Sequence, residues 1–420
     1  MKQYTKVASY EASKGDVTKV VLLYSGGLDT SCMLTWIQEE YGAKVVTVTL
    51  DLGQQGDDLE AIKQKALKFG AVKTYVVDVK DEFADEYLSK LIKANGSYQG
   101  DYHISTISRY LMAKVAIEVA EKEGADAIAH GCTGKGNDQV RIEAAALTLK
   151  PDIRVIAPVR EWSMGRDEEI EYAAKRGIPV PAKKDFPYSV DDNMWGMTWE
   201  SGEIEDPEQV PQYAKFLTTY TLPENAPDQP DCVKLEFEKG IPVAINGKKM
   251  KLSMLIMQLN KIAGKHGVGV VTHIEDRIMG LKVRGVYEMP AARTIIEAHK
   301  NLEKYVSTRM LNEVKSMLDI KWAYLCYGAL WYEPLLDAIN AFNDNVNEKV
   351  TGTVTMKLHK GKAEPVAIDT PFALYDSRLA TFMKDLSFNQ NASAGFIELY
   401  SLQMNLAKQT EKKAKAAGKK

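Results

Sequence analysis

Ser25, Gly26, Gly27, Asp29, Thr30 and Ser31 lie within seven consecutive residues, directly after the apolar run Val20-Val21-Leu22-Leu23 and Tyr24. Two glycines allow a sharp turn. The N–H groups of that turn, the three hydroxyls and the positive end of a following helix can converge on phosphate oxygens. Asp29, Thr30 and Ser31 are also of the types that cap a helix. Loops that hold the β and γ phosphates of ATP usually read GxxxxGK[ST], with a lysine for the transferred charge. No lysine stands here, so the stretch reads as an anion cradle of another kind.

A second stretch, His130-Gly-Cys-Thr-Gly-Lys-Gly-Asn-Asp-Gln-Val-Arg141, places three glycines within six residues, interleaved with Thr133, Lys135, Asn137 and Asp138. Its backbone can approach a ligand closely while short side chains hydrogen-bond it. Asn137, Asp138 and Arg141 follow at spacings that could open a helix with Asp138 near its N-terminus, and Arg141 offers a bidentate fork for a carboxylate. His130, beside this loop, is a candidate substrate contact. Cys32 and Cys132 flank the two main loops, which invites a sulfur-transfer reading, but a small apolar filler suits them better. His266 and His273 read as ordinary loop or strand histidines. Trp195, Trp199, Trp322 and Trp331 read as core or interface aromatics.

The elements that must position these residues alternate from Lys19 to about Pro187. Apolar or β-branched runs at 20–23, 44–50, 74–79, 127–129 and 155–159 are separated by helical patterns, the first carried by Met33, Leu34 and Ile37 and stopping before Gly42, the others at 58–69, 82–95 and 106–123. Strands separated by helices give a parallel sheet with right-handed crossovers, and ligands then sit beyond the strand C-termini. Three loops are therefore expected to converge: Tyr24–Ser31, Asp51–Gln54 and His130–Arg141. A proline-rich change of composition at 179–187 marks a domain boundary. Beyond it, extended stretches, two hairpins (233–245, turned by Lys239-Gly240, and 352–368) and helices at 252–264, 291–305 and 311–330 make an α+β domain. The expected division is an extension over 1–16, a nucleotide-binding domain over 17–187, a second domain over 188–395, and a terminal helix with a lysine-rich tail over 396–420. Phe396, Leu399, Leu402 and Leu406 are helically spaced and need a surface to cover them, which points to a neighbouring subunit.

At 420 residues the chain can hold two ordinary domains. Its 54 basic and 57 acidic residues leave a net charge of −3, so no basic field points to nucleic acid and a small-molecule substrate is expected. The opening residues lack the apolar core of a signal peptide or anchor, and no run of 18 apolar residues occurs. Four scattered cysteines without CxxC pairing or HExxH suggest reduced thiols in the cytoplasm.

The lysine-free Ser-Gly-Gly-x-Asp-x-Ser loop resembles the pyrophosphate loop of the N-type ATP pyrophosphatases, which cleave ATP between its α and β phosphates. Four motifs taken together are similar to the argininosuccinate synthase family: Tyr-Ser-Gly-Gly-Leu-Asp-Thr-Ser at 24–31, Asp-Leu-Gly-Gln at 51–54, the glycine loop at 130–141, and Glu-Asp-Arg-Ile-Met-Gly-Leu-Lys-Val-Arg-Gly-Val-Tyr-Glu at 275–288. The resemblance runs in the family's order from about Lys19 to Leu402. It implies a nucleotide domain of the adenine nucleotide alpha hydrolase type and an ATP- and magnesium-dependent ligase. Such a ligase joins citrulline to aspartate and releases AMP and pyrophosphate, acting as a homotetramer.

Carried over by position, the resemblance implies that Leu23, Tyr24, Ser25, Gly26, Gly27, Leu28, Asp29, Thr30, Ser31 and Leu50 hold ATP, with Gly131 completing the nucleotide site. Thr133, Asn137 and Asp138 would hold aspartate. Tyr102, Asn137, Arg141, Ser189, Thr198, Glu275 and Tyr287 would hold citrulline, and catalysis would rest on Asp29, Asn137, Asp138 and Arg141. Two zwitterions and a nucleotide need cation forks, carboxylates and orienting hydroxyls, and that set supplies them. Tyr102 is followed by His-Ile-Ser-Thr-Ile-Ser-Arg-Tyr, about one residue short of the family's Thr-Ser-Leu-Ala-Arg-Pro-like run. Both Ser105 and Thr106 stay open for the serine's role. Position 198 is threonine where a second serine is common, which keeps the hydroxyl. The extension from Met1 to about Asp16 lies outside the resemblance and is expected to be disordered.

An amide-forming synthetase or a tRNA thiolase on the same loop would need an amidotransferase nucleophile, or a reactive cysteine pair with a basic face, and the sequence offers neither. A non-catalytic nucleotide sensor would not need the Arg, Glu and Tyr set of the second domain.

Overall fold

The structure is a computed structural model that describes residues 6–56, 58–162, 164–179, 187–381 and 388–417. It divides into two compact units, Met1–Phe372 and Ala373–Lys420. The composition change that marked a boundary falls largely on 180–186, outside the described residues.

The first unit opens with a parallel sheet of β1 (Lys19–Leu23), β2 (Lys44–Asp51), β3 (Lys73–Asp78), β4 (Ala127–Ala129) and β5 (Arg154–Ile156), in the order β3-β2-β1-β4-β5. Alternation along β1 feeds two cores, Val21 and Leu23 on one face and Val20 and Leu22 on the other. Both faces of the sheet are thus covered, which is why its strands read as unbroken apolar runs. The strand order reverses between β1 and β4, and the loops after these two strands flank that switch point, where ligands of such sheets bind.

Two expectations are corrected here. The fifth strand ends at Ile156, because Pro158 begins a short helix, Pro158–Glu161, that carries Val159. Residues 6–17 are ordered against β5 and do not form a loose tail: Glu11 bridges Val155 in parallel, and Ala12 and Val17 are buried.

Two antiparallel sheets follow. One, β11-β12-β7-β6, is built from β6 (Ser189–Asn193), β7 (Gly196–Glu200), β11 (Val270–Asp276) and β12 (Lys282–Glu288). Its register sets Asp191 opposite Thr198, Thr198 opposite Tyr287, and Glu275 opposite Val283. By the two-residue period these four polar side chains share one face. Gly285 lies on that face under the Tyr287 ring, where a Cβ would come 2.9 Å from the phenol oxygen. The other sheet, β10-β9-β8-β13-β14, contains β8 (Asp231–Glu238), β9 (Ile241–Ile245), β10 (Lys248–Lys249), β13 (Gly352–His359) and β14 (Lys362–Asp369). It includes both expected hairpins, the first turned by Lys239 and Gly240 at φ +50 and +81.

Helices Leu252–Lys265, Pro290–Val306, Arg309–Tyr327 and Pro334–Asn347 complete the unit. In the second unit, the Ala392–Ala417 helix has no buried residue, and its apolar side chains Phe396, Leu399, Leu402 and Leu406 are exposed.

Candidate functional site

The loops after β1, β2 and β4 and the polar face of β11-β12-β7-β6 enclose one cleft of about 1810 Å³. Every site residue expected from sequence lines it except Gly26 and Ser31. Gly26 turns the chain at φ +76, where a Cβ would strike Ile62 at 2.8 Å. Ser31 faces inward and gives its hydroxyl to the Gly27 carbonyl at 2.6 Å.

At the cradle, the Leu28–Tyr41 helix starts with Gly27 as its N-cap and without a side-chain cap. The expected capping by Asp29, Thr30 and Ser31 is therefore corrected: these residues lie inside the first turn, past the capping position. The Asp29 carboxylate, half exposed, takes a hydrogen bond from Arg166 at 2.8 Å. Burial, and then the charge of Asp29, push the nearby Glu169 carboxyl above its ordinary pKa. Ser25 and Thr30 hydroxyls meet at 3.2 Å on the rim.

The glycine loop leads into the Asn137–Leu149 helix, with Gly136 as N-cap. Gly131 rests on the cradle helix, where a Cβ would lie 2.9 Å from Met33. Arg109 Nε binds Asp138 Oδ2 at 2.9 Å and its Nη2 binds Asp191 at 2.5 Å, while Arg141 Nη1 binds the other Asp138 oxygen at 2.8 Å. Burial alone would raise the Asp138 carboxyl, but the Arg109 and Arg141 guanidinium groups hold it well below the usual carboxylate range.

Arg141 is not a free fork, which corrects the sequence expectation. Asp138 sits one turn back on the same helix and takes Nη1, and the Tyr327 carbonyl takes Nε at 3.0 Å. Nη2 remains buried with no hydrogen-bond partner among the described residues, and so does Glu275 Oε2. Burial raises the Glu275 carboxyl above its ordinary pKa. Two stacked ring pairs lie in this region, Tyr102 on Tyr287 at 4.2 Å and Tyr98 on Tyr327 at 3.6 Å, and Tyr102, Tyr287 and Tyr327 line the cleft. The Tyr102 hydroxyl is 3.1 Å from Ser105 and 3.2 Å from Thr106. Thr106 reaches the cleft, whereas Ser105 turns to Thr198 at 3.5 Å.

His130 lines the cleft, with its ring tied to Glu143 at 2.9 Å. Cys32 is buried, and burial pushes its thiol up to about 12, which makes it inert. No cluster of three or more metal-ligating His, Cys, Asp or Glu side chains occurs among the described residues.

Among the cleft residues that were not anticipated are Arg109, Asp191, Glu200, Arg277 and Tyr327. Arg277 and Glu200 pair at 3.1 Å. A lone arginine within the otherwise apolar start of the Ser108–Glu123 helix, and two acids in succession in β6, were the available signals.

A family model described as the arginosuccinate synthase N-terminal HUP domain matches residues 19–179, and one described as the arginosuccinate synthase C-terminal domain matches residues 188–407. The chain is similar to the argininosuccinate synthase of Geobacillus thermodenitrificans, 51% identical over 385 residues that cover 91% of this chain and 94% of that one. It is similar to the enzyme of the same name from Pyrococcus furiosus, 51% identical over 390 residues, or 93% and 94% of the two chains. Against that of Geobacillus kaustophilus the identity is 50% over 400 residues, or 95% and 98%.

Proposed function

The chain belongs to the argininosuccinate synthase family of ATP-dependent ligases, and from that premise we propose that it condenses citrulline with aspartate through a citrullyl-adenylate, releasing AMP and pyrophosphate. One observation carries the substrate reading. Buried in the same cleft are a guanidinium nitrogen, Arg141 Nη2, and a carboxylate oxygen, Glu275 Oε2, each without a hydrogen-bond partner among the described residues. Leaving such groups unpaired costs about 1–3 kcal/mol or more each, and an α-amino acid zwitterion satisfies both, carboxylate to arginine and ammonium to glutamate. Tyr102, Ser189, Thr198 and Tyr287 would orient the rest of citrulline, with Thr106 as the hydroxyl that reaches the cleft.

Aspartate would take Thr133, Asn137 and Asp138, and ATP the cradle from Leu23 to Ser31 with Leu50 and Gly131. The ureido oxygen is a weak nucleophile, so the protein's main task is to hold it in line with the α phosphate. N–H groups at the start of the Leu28–Tyr41 helix would stabilise the departing pyrophosphate. The donors at the cradle, a half-exposed Asp29 carboxylate with Ser25 and Thr30 hydroxyls, are hard oxygens of the kind magnesium takes alongside phosphates. Magnesium held there by Asp29 would supply charge neutralisation to the leaving group.

The proposal extends to a cytoplasmic setting, supported by four free cysteines, and to a homotetramer, supported by the exposed apolar stripe of the terminal helix. The test is pyrophosphate release by purified protein with ATP, magnesium and the two amino acids singly or together, with calorimetric titration of citrulline into wild type and Arg141→Ala. We expect release only when citrulline is present, and a loss of roughly 2–5 kcal/mol in citrulline affinity in the variant. Unchanged affinity would remove Arg141 from the site.

A further inference from the structure

We propose that residues 6–17 form a strap that positions the glycine loop of the nucleotide site, acting through the Tyr10 hydroxyl and Glu143. The strap lies outside the stretches matched by the family models, which begin at residue 19. Its backbone adds to the exposed edge of β5, with Val155 N–H given to the Tyr10 carbonyl at 3.1 Å and Ala12 N–H to the Val155 carbonyl at 3.0 Å. Glu11 closes the turn before it by accepting the Val7 and Ala8 amides, both at 2.9 Å. A three-residue edge strand offers unpaired backbone groups, and pairing with it fixes the register of the strap.

That register brings Tyr10 to Glu143. The phenol donates to Glu143 Oε2 at 2.7 Å, and burial, then the Glu143 carboxylate, push its pKa up to about 12, so it keeps its proton. Glu143 is itself buried, and its other oxygen takes His130 Nε2 at 2.9 Å and Arg160 Nη1 at 2.6 Å. Both of those partners belong to the loop's support. His130 is its first residue, and its Nδ1 accepts the Cys132 N–H at 3.2 Å. Arg160 also reaches Gln139 at 3.0 Å, and its stem lies against Gly134, where a Cβ would be 3.7 Å away.

A buried carboxylate with three donors holds one geometry, and removing one donor lets it reorient and carry the loop with it. Tyr10 does not line the cleft and so acts as a positioning residue. The inference rests on reading this loop as part of the ATP site.

The experiment uses the full chain and measures KM for ATP, KM for citrulline, kcat and melting temperature in wild type, Tyr10→Phe and Lys14→Ala, with ATP binding to each protein followed by titration. Lys14 lies on the same strap but pairs with Glu40 at the surface. Tyr10→Phe keeps the ring and deletes one hydrogen bond, so we expect KM for ATP to rise roughly 3–10-fold with kcat and citrulline KM within about twofold. Lys14→Ala should leave all three constants unchanged. An unchanged ATP KM in Tyr10→Phe overturns the proposal, as does an equal rise in both variants or a lowered melting temperature with unaltered KM. Wild type that binds no ATP would overturn the nucleotide reading, and the strap with it.

Discussion

Asn137 gives its side-chain N–H to the Tyr327 hydroxyl at 2.7 Å, and its carbonyl oxygen takes the Ile278 amide at 2.8 Å. One residue at the start of the Asn137–Leu149 helix is thereby tied to the end of the Arg309–Tyr327 helix and to the turn between β11 and β12. Tyr327 also fixes Arg141, by its carbonyl and by its ring 4.6 Å beneath the guanidinium. Asn137 and Arg141 therefore share a support far away in sequence.

Tyr327→Phe tests that support. The ring and its stacking on Tyr98 remain, but the buried Asn137 N–H loses its acceptor at about 1–3 kcal/mol, so melting temperature should fall by only a few degrees. Because Asn137 is assigned to both amino acids, steady-state kinetics should show KM raised for citrulline and for aspartate together. A rise in only one would separate their sites, and no rise would make the Tyr327 hydroxyl dispensable.

This arrangement also shows where sequence reading stops. The cradle was legible because its turn, hydroxyls and helix start are contiguous, and β1 and β2 because both sheet faces are buried, which leaves unbroken apolar runs. The Arg166–Lys175 helix was missed because its sequence, Arg-Asp-Glu-Glu-Ile-Glu-Tyr-Ala-Ala-Lys, shows too few apolar positions. Strands β11 and β12 were missed because polar Glu275 and Tyr287 face a cleft where a half-buried strand would face core. Arg109, Asp191 and Tyr327 take their meaning from partners 29, 82 and 190 positions away, which no local pattern encodes.

A second buried cluster predicts an unusual pH response. Burial, against the pull of Lys315 and with the push of Glu303, raises the Asp319 carboxyl from 3.8 to about 6. Lys315 also meets Glu303 at 3.2 Å, and the buried His299 lies next to the set through Asn95. A carboxyl whose folded pKa exceeds its unfolded value stabilises the protein below the unfolded value, and this contribution is lost as pH rises through the folded one. The native state binds the extra proton, so stability falls between about pH 4 and 6, by at most about 3 kcal/mol. Asp319→Asn should remove that fall and melt no lower than wild type at pH 8, since Lys315 keeps Glu303. Paired melting curves at pH 5 and pH 8 decide it, and a variant destabilised equally at both would show that the ionised carboxylate is needed.

Removal of residues from Phe396 onward tests the terminal helix. Phe396 and Leu399 are 63% and 75% exposed in the single chain, and an isolated helix with an uncovered apolar stripe is marginal in water. Light scattering should report a smaller assembly for the truncated protein. An unchanged mass would mean that this stripe does not build the assembly.

The order of chemical steps can be followed through one oxygen atom. A cradle without the lysine of β,γ-phosphate loops favours reaction at the α phosphate. If the ureido oxygen of citrulline attacks there, pyrophosphate leaves and the oxygen becomes part of a C–O–P bridge. The aspartate amine then adds to the ureido carbon, the C–O bond breaks, and the oxygen departs with AMP. Citrulline carrying ¹⁸O in its ureido group should therefore give AMP with one label. Direct attack by aspartate, with that oxygen lost as water, would leave AMP unlabelled. On the proposed reading the first step requires only ATP at the cradle and citrulline at Arg141 and Glu275, so labelled pyrophosphate should exchange into ATP when citrulline is present and aspartate is not. Mass spectrometry of AMP and the exchange assay are independent readouts. Unlabelled AMP would sink the adenylate route even if argininosuccinate accumulates, and labelled AMP without exchange would mean that pyrophosphate leaves only after aspartate has bound.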